Sequence, residues 1–292
     1  MRNFKFLFIL MMCATAHAVV AQQDPNFTLY NFNMNVINPA FAGTNGFKEI
    51  SLGHRSQWIG VENGPNTQIA NFTSPLRNNL GIGVSLVRNK VFVLQESDVT
   101  VDISYKLKLS YEHDLYFGVK TGASFININL SSILSSGSDP LFTENRSYSN
   151  TQFGAGFYLK HEKYYVSISS PNILKGKRYI KNGNAPNAVV DNLHMYYGMG
   201  YRFDLTDRVS ISPGIMYRST KGATSSTDIN ATLSVKNVQV GANYRVDDMY
   251  SIFTVFNIID NVKFGAAYDI SANELNDFNK NGSMEVLIKY QF

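Results

Sequence analysis

From Val99 to Ser110 the chain alternates for twelve residues without a break. Val99, Val101, Ile103, Tyr105, Leu107 and Leu109 share one face; Thr100, Asp102, Ser104, Lys106, Lys108 and Ser110 share the other. Period two is the signature of a β-strand, whose successive side chains point to opposite sides. This strand is long enough to cross the ~25 Å apolar band of a membrane at a steep tilt. A row holding Asp102, Lys106 and Lys108 is costly to face toward lipid, so in a membrane strand it faces a lumen. Val209, Ile211, Ile215 and Tyr217 repeat the pattern against Ser210, Ser212 and Arg218, with Pro213 predicting a bulge.

The last nine residues carry the same pattern to the carboxyl end. Met284, Val286, Ile288, Tyr290 and Phe292 point one way and Glu285, Lys289 and Gln291 the other; Leu287 is the exception. An uncovered apolar edge strand invites aggregation in a soluble domain. The ending instead resembles the final strand of bacterial outer-membrane barrels, whose aromatic C-terminus is read by the barrel-insertion machinery. Tyr290 and Phe292 are the candidate insertion signal.

The other end of the chain agrees. Arg2 and Lys5 precede an apolar run from Phe6 to about Met12, then small residues, which predicts a secretory signal peptide over 1–21 with cleavage after Ala21. Cys13 is the sole cysteine and follows Met12 rather than a small residue, so lipidation is not expected; the mature chain then has no disulfide and no cysteine chemistry. Loss of Arg2 and Lys5 lowers the formal charge from +4 to +2, which argues against nucleic acid and against a strongly charged ligand. No later run reaches ~18 apolar residues, so no transmembrane helix is expected. The slightly negative mean hydropathy suits a barrel, in which only alternate residues meet lipid. So do 17 Tyr and 20 Phe against one Trp.

Alternation and turn residues place fourteen strands between residues 47 and 292, an even number as single-chain bacterial barrels have. The connections support the count. Every second one is short: 74–79, 110–113, Glu162, Leu205-Thr206, Lys236-Asn237 and 258–260. The intervening ones include the long loops at about 129–149, 171–192 and 271–282. Barrels have short periplasmic turns and longer outer loops, and a soluble meander has no reason to segregate loop lengths. The expected fold is therefore an all-β, transmembrane, antiparallel up-and-down barrel over 47–292. An N-terminal arm over 22–46, periplasmic or luminal, precedes it, and both chain termini are expected on the periplasmic side.

The arm carries the most specific motifs. It reads Asp24-Pro25-Asn26-Phe27-Thr28-Leu29-Tyr30, then Asn38-Pro39-Ala40-Phe41-Ala42-Gly43. Next come Arg55-Ser56-Gln57-Trp58-Ile59-Gly60 and Gly64-Pro65-Asn66-Thr67. In this order the chain resembles the PorP/SprF family of outer-membrane proteins from Bacteroidetes, with its D-P-x-F-x-Q-Y start, its N-P-A-Y/F-A-G and R-x-Q-W-x-G motifs and a following Pro-x-Thr step. Later similarities are Pro171-Asn172, His194 to Tyr197 before Gly200-Tyr201, and Gly282 to Glu285. Leu29 stands where the family usually has Gln, and Met284 where it often has His.

The resemblance covers essentially the mature chain. It implies a component of, or accessory to, the type IX secretion system, tied to export or surface attachment of proteins with C-terminal sorting domains, gliding adhesins among them. It also implies contact with periplasmic ring or peptidoglycan-associated lipoproteins. Asn38, Pro39, Ala40, Gly43, Arg55, Gln57, Trp58, Gly60, Pro65, Thr67, Pro171 and Asn172 are then the candidates for docking the arm or a partner, or for closing the barrel mouth. Physically, Asn38-Pro39 sets a turn, Gly43 frees the backbone, and Arg55 is a pairing group for a buried carboxylate or for arm carbonyls.

Catalytic and metal chemistry leave no trace. His17, His54, His113, His161 and His194 show no zinc spacing, and no G-x-S-x-G occurs. Asp277 to Gly282 matches the first six positions of a calcium loop, but its twelfth position would be Ile288 rather than Glu, and Asn281-Gly282 is also an ordinary hairpin signal. No cofactor, metal or enzymatic activity is expected. The remaining partners are outer-membrane lipid and the insertion machinery, and the alternative function is a diffusion porin for small solutes.

Overall fold

In a computed structural model, which describes residues 27–130, 145–174, 193–220, 224–272 and 281–292, the strands form one closed ring. They are β1 (Glu49–Ser56), β2 (Asn66–Pro75), β3 (Leu80–Val91), β4 (Leu94–Lys108), β5 (Asp114–Ile128), β6 (Arg146–Lys160), β7 (Tyr164–Ser170), β8 (His194–Tyr201), β9 (Phe203–Thr206), β10 (Val209–Thr220), β11 (Ser226–Val235), β12 (Val238–Arg245), β13 (Met249–Ile259), β14 (Val262–Ser271) and β15 (Ser283–Gln291). Strands pair antiparallel in chain order, and β1 pairs with β15 to complete the circuit. Because β8 and β9 both pair with β10, they are two halves of one stave. Among the described residues the barrel has fourteen staves, as expected from the alternation.

Pro213 does not bulge its own strand. β10 runs straight through it and pairs Pro213 with Ala231. The interruption falls on the neighbouring stave, at Arg202, because proline offers no N–H to that ladder. On its other edge the stave stays paired: the Arg202 amide donates to the Lys163 carbonyl at 2.6 Å.

The two faces divide as the period-two pattern requires. Val99, Val101, Ile103, Tyr105 and Leu107 of β4 are exposed on the outside, whereas Thr100, Asp102 and Ser104 are buried within. In β15, Met284, Ile288, Tyr290 and Phe292 face out, and Ser283, Glu285 and Lys289 face in. Leu287, the exception to the alternation, is 3% exposed and packs inside the barrel on Leu29, Phe253, Val255 and Ala267. Outward rings pair near the two ends. Tyr290 stacks on Phe292 at one, and Tyr244 stacks on Tyr250 at the other; aromatic girdles of this kind flank the apolar band of membrane barrels. No helix among the described residues is long and apolar enough to cross a membrane.

Connection length segregates by end. The turns after β2, β4, β6, β9, β11 and β13 lie at the end where β1 begins and where Phe292 finishes. The connections after β1, β3, β5, β7, β10, β12 and β14 lie at the other, and these include the three long ones. Most residues of those loops are outside the described range, as are Asp277 to Lys280, the expected signal peptide and residues 22–26. At the short-turn end the ladder runs to the last residue: Phe292 and Lys48 exchange backbone hydrogen bonds at 3.0 and 3.3 Å.

If the outer face meets lipid, replacing Val101 with Arg should destabilise the folded barrel by about 2–4 kcal/mol near the midplane. Urea titration in lipid vesicles reads this, and an unchanged midpoint would remove that face from the bilayer.

Candidate functional site

Residues 27–48 precede β1, and most of them lie inside the ring. A chain without regular structure in a lumen must still find partners for its backbone polar groups. Part of that need is met locally by three single 3₁₀ turns at Tyr30–Phe32, Met34–Val36 and Pro39–Phe41. Inward side chains meet much of the rest. The Phe32 carbonyl accepts from Lys289 Nζ at 2.6 Å, and the Asn35 carbonyl from Lys120 Nζ at 3.1 Å. Those of Ile37 and Ala42 accept from Ser169 at 2.9 Å and Ser104 at 2.6 Å, and that of Thr44 from Lys160 Nζ at 2.9 Å. The donors come from β15, β5, β7, β4 and β6, so the arm is held from several sides of the ring.

The first anchor sits at the closing seam. Arg55 on β1 lies directly across from Glu285 on β15. Its Nη1 pairs with Asp269 Oδ2 at 2.5 Å and with Glu285 Oε2 at 3.1 Å. All three are buried, Arg55 to 2% exposure. The arm completes the cluster. The Thr28 amide donates to Glu285 at 2.7 Å and its hydroxyl to Asp269 at 2.7 Å, while Arg55 donates to the Thr28 oxygen at 3.2 Å. The Leu29 amide adds a bond to Glu285 at 3.3 Å. One cation faces two carboxylates, and three arm-related donors share the remaining lone pairs.

The second anchor lies on the far wall. Asn38 caps the third 3₁₀ turn: its Oδ1 accepts from the Ala40 amide at 2.9 Å, with Pro39 at the first turn position. Its Nδ2 donates to the Phe157 carbonyl at 3.0 Å and to Ser167 at 2.9 Å, tying the cap to β6 and β7. The turn lies so close to the wall that a Cβ at Gly118 would strike Ala40 N, and one at Gly156 would strike Asn38 Oδ1. Glycine in a strand interior marks this kind of close backbone approach.

Between the anchors, side chains fill the lumen. Phe27, Tyr30, Met34 and Ile37 pack on Ile69, Tyr196 and Met216 of the wall. Asn35 bonds to Asn71 at 2.7 Å, and Asn33 bonds to Ser51 at 2.8 Å. The Tyr30 hydroxyl accepts from Asn230 at 2.7 Å. Other lumen charges pair within the wall: Lys120 with Asp102 at 2.9 Å, Lys289 with Glu49 at 2.6 Å, and Arg245 with Asp228 at 2.6 Å.

Two cavities flank the arm. A cavity of about 430 Å³ opens at the short-turn end, lined by Asn31 to Asn35 and by Lys160, Tyr164 and Lys289. A smaller one of about 110 Å³ lies toward the long-connection end, lined by Phe27, Val36, Ile37, Pro171, Asn172 and His194 among others. No residue lines both.

The candidate residues therefore fall into distinct places. Arg55 and Thr67 are buried partners across the β1–β2 ladder, and Thr67 donates to Asn89 at 3.0 Å. Gln57, Trp58, Gly60 and Pro65 form the loop after β1. The Gln57 amide bonds to the Pro65 carbonyl at 2.8 Å, Trp58 and Gly60 have positive φ, and the Trp58 amide reaches Ser283 at 3.3 Å. Pro171 and Asn172 follow β7, where Asn172 Oδ1 accepts from the Leu174 amide at 3.1 Å. Gly43 is at the opposite end. Its φ is +71°, and it rests against Ser74 and Pro75, the last two residues of β2. Asn38, Pro39 and Ala40 are buried at the second anchor. Sequence reasoning missed Thr28, Asp269, Glu285, the luminal lysines and the inward glycines; charged or glycine residues at inward strand positions were the available signal. Among the described residues no group of three or more His, Cys, Asp or Glu is arranged to hold a metal ion.

Comparison with known proteins adds a family. A family model described as "Type IX secretion system membrane protein PorP/SprF" matches residues 19–290, nearly the whole chain. No curated protein matches. Among solved structures, the toluene transporter TbuX of Ralstonia pickettii aligns over 87% of this chain and 91% of its own, with 10% identity and a TM-score of 0.53. At that identity the likeness is one of fold alone. The outer membrane protein Omp33 of Acinetobacter baumannii aligns over 84% of this chain and 98% of its own, with 11% identity and a TM-score of 0.49.

Two variants separate the anchors. Arg55→Met leaves Asp269 and Glu285 facing each other without a cation and should cost about 3–5 kcal/mol of stability by urea titration in micelles. Gly118→Val should strip amide-exchange protection from residues 38–44 while the strands keep theirs; retained protection there would show that the close approach is dispensable.

Proposed function

Since the chain belongs to the PorP/SprF family of type IX secretion system membrane proteins, we propose that it is an interaction barrel. It supports secretion or surface attachment of proteins with C-terminal sorting domains, gliding adhesins among them. Family and closed barrel point to the outer membrane. In this reading the short-turn end, with Phe292, is periplasmic and contacts ring or peptidoglycan-associated lipoproteins, and the long connections face the cell surface and meet the cargo. Residues 1–21 are removed as a signal peptide, Tyr290 and Phe292 engage the insertion machinery, and neither a cofactor nor a catalytic step is involved.

The observation that carries the reading is the filled lumen. A diffusion porin needs a continuous aqueous path, and fourteen strands enclose only a modest bore. Here the arm crosses that bore with its carbonyls bonded to the wall, and the two cavities beside it share no lining residue. The family points in the same direction. The motif residues Asn38 to Ala40 and Arg55 act in this reading by keeping the arm seated.

Planar-bilayer recording tests it. The intact protein should show no steady conductance, and affinity purification from its native envelope should co-isolate a sorting-domain protein or a ring lipoprotein. A stable open channel together with a clean homo-oligomer would turn the reading to a porin.

A further inference from the structure

Lys160 departs from the pattern of the paired luminal cations. Lys120, Lys289, Arg55 and Arg245 each meet a carboxylate at 2.5 to 2.9 Å. Lys160, the last residue of β6, has no carboxylate within ion-pair distance among the described residues. Asp114, its partner across the β5–β6 ladder, is engaged by Lys106 at 3.8 Å. The one hydrogen bond of the Lys160 side chain goes to the neutral Thr44 carbonyl at 2.9 Å, so its ammonium keeps donors to spare. A half-buried ammonium without a counter-charge is costly.

That side chain lines the cavity of about 430 Å³ at the short-turn mouth. The surroundings suit a carboxylate and the chain that bears it. Tyr158 sits two residues before Lys160, on the same inward face of β6. Its ring lies 3.8 Å from that of Phe41 and 6.1 Å from that of Tyr165, and its hydroxyl has no bonding partner among the described residues. Asn45 and Gln239 bring amide side chains to the lining. The cavity's two acids leave Lys160 uncovered, because Glu49 is taken by Lys289 and Glu162 is exposed in the turn after β6.

The geometry points to a binding site for an acidic peptide segment at the short-turn mouth, with an Asp or Glu carboxylate seated on Lys160 and the Tyr158 hydroxyl. The ligand supplies the charge that Lys160 lacks. Its volume places the cavity among small-ligand pockets, which suits a few residues of extended chain rather than a folded domain. The rings of Phe41, Tyr158 and Tyr165 give the flanking residues an apolar surface, and the amides of Asn45 and Gln239 can bond to their backbone. The site rests on the proposed orientation in one respect only: with the short-turn end periplasmic, the segment belongs to a periplasmic partner.

Fluorescence anisotropy on the mature protein in detergent micelles tests the site, with folding checked by heat-modifiable gel migration. The probe is fluorescein-labelled Ser-Glu-Phe-Asp-Ser with blocked ends; its counterpart carries Gln and Asn for Glu and Asp. The acidic probe should bind saturably and more weakly as salt rises, and the neutral one about tenfold less tightly. Lys160→Met should cost about tenfold and Lys160→Arg little, since it keeps the charge. Tyr158→Phe leaves the Thr44 bond in place and should cost about threefold. Arg88→Gln, at the other mouth, should change nothing. No saturable binding of the acidic probe, or undiminished binding by folded K160M, would overturn the site. Displacement by succinate at the concentration that suffices for unlabelled peptide would overturn its assignment to a peptide. Either result leaves the interaction barrel standing, because conductance and co-isolation decide that reading, and an open channel would not alter peptide binding in micelles.

Discussion

A peptide group inside a hydrocarbon layer has no water to bond to, so a sheet placed there must satisfy every N–H and C=O within itself. Closure of the ring between β1 and β15 is the consequence, and the rest of the molecule follows from it. Once the edges are joined, the outside must be apolar and the polar interior is the bore. That inversion explains why Ile103 is exposed while Asp102 is fully buried. It also explains why the last residue still belongs to the ladder: Phe292 and Lys48 bond to each other rather than fraying.

The bore then poses a second problem, which the arm resolves. Buried charges are tolerated when paired and hydrogen-bonded. Most of the luminal pairs join neighbouring staves, as Lys120 with Asp102, Lys289 with Glu49 and Arg245 with Asp228. The arm uses capacity those pairs leave over. Lysines already bonded to a carboxylate donate another N–H to an arm carbonyl, and Glu285 accepts from arm amides as well as from Arg55. Apolar arm residues need a dry surface too. Wall residues such as Leu287, Phe253 and Ile69 break the polar inner row where an arm side chain meets them.

Much of this was legible in the sequence because the barrel rests on local pattern. The alternation in Val99 to Ser110, the parity of the connections and the Asn38-Pro39 turn each depend on residues close together in the chain. What could not be read depends on distant partners. Arg55 announces a need for a carboxylate, but Asp269 and Glu285 lie 214 and 230 positions away, and no spacing rule selects them. Gly118 and Gly156 look like any strand glycines until the turn at Asn38 is laid against them. Leu287 read as a lapse in the pattern because the surface it serves comes from the other end of the chain. Pro213 was read as a bulge, but its missing donor fell on the adjacent stave.

The bonds from Thr28 and Leu29 to Glu285 span 257 and 256 positions, nearly the full mature length. Contacts of such separation form late, because the loop entropy of all the intervening chain must be met first. Asn38 and Ala42, by contrast, find partners on β4, β6 and β7 once only half of the strands have formed. The second anchor is thus available to a half-built sheet and the seam cluster only to a finished one. Barrel closure and arrest of the arm's first residues become a single terminal event in folding. A chain stalled before it would carry its arm half attached and two open strand edges, a species the insertion pathway must either complete or discard.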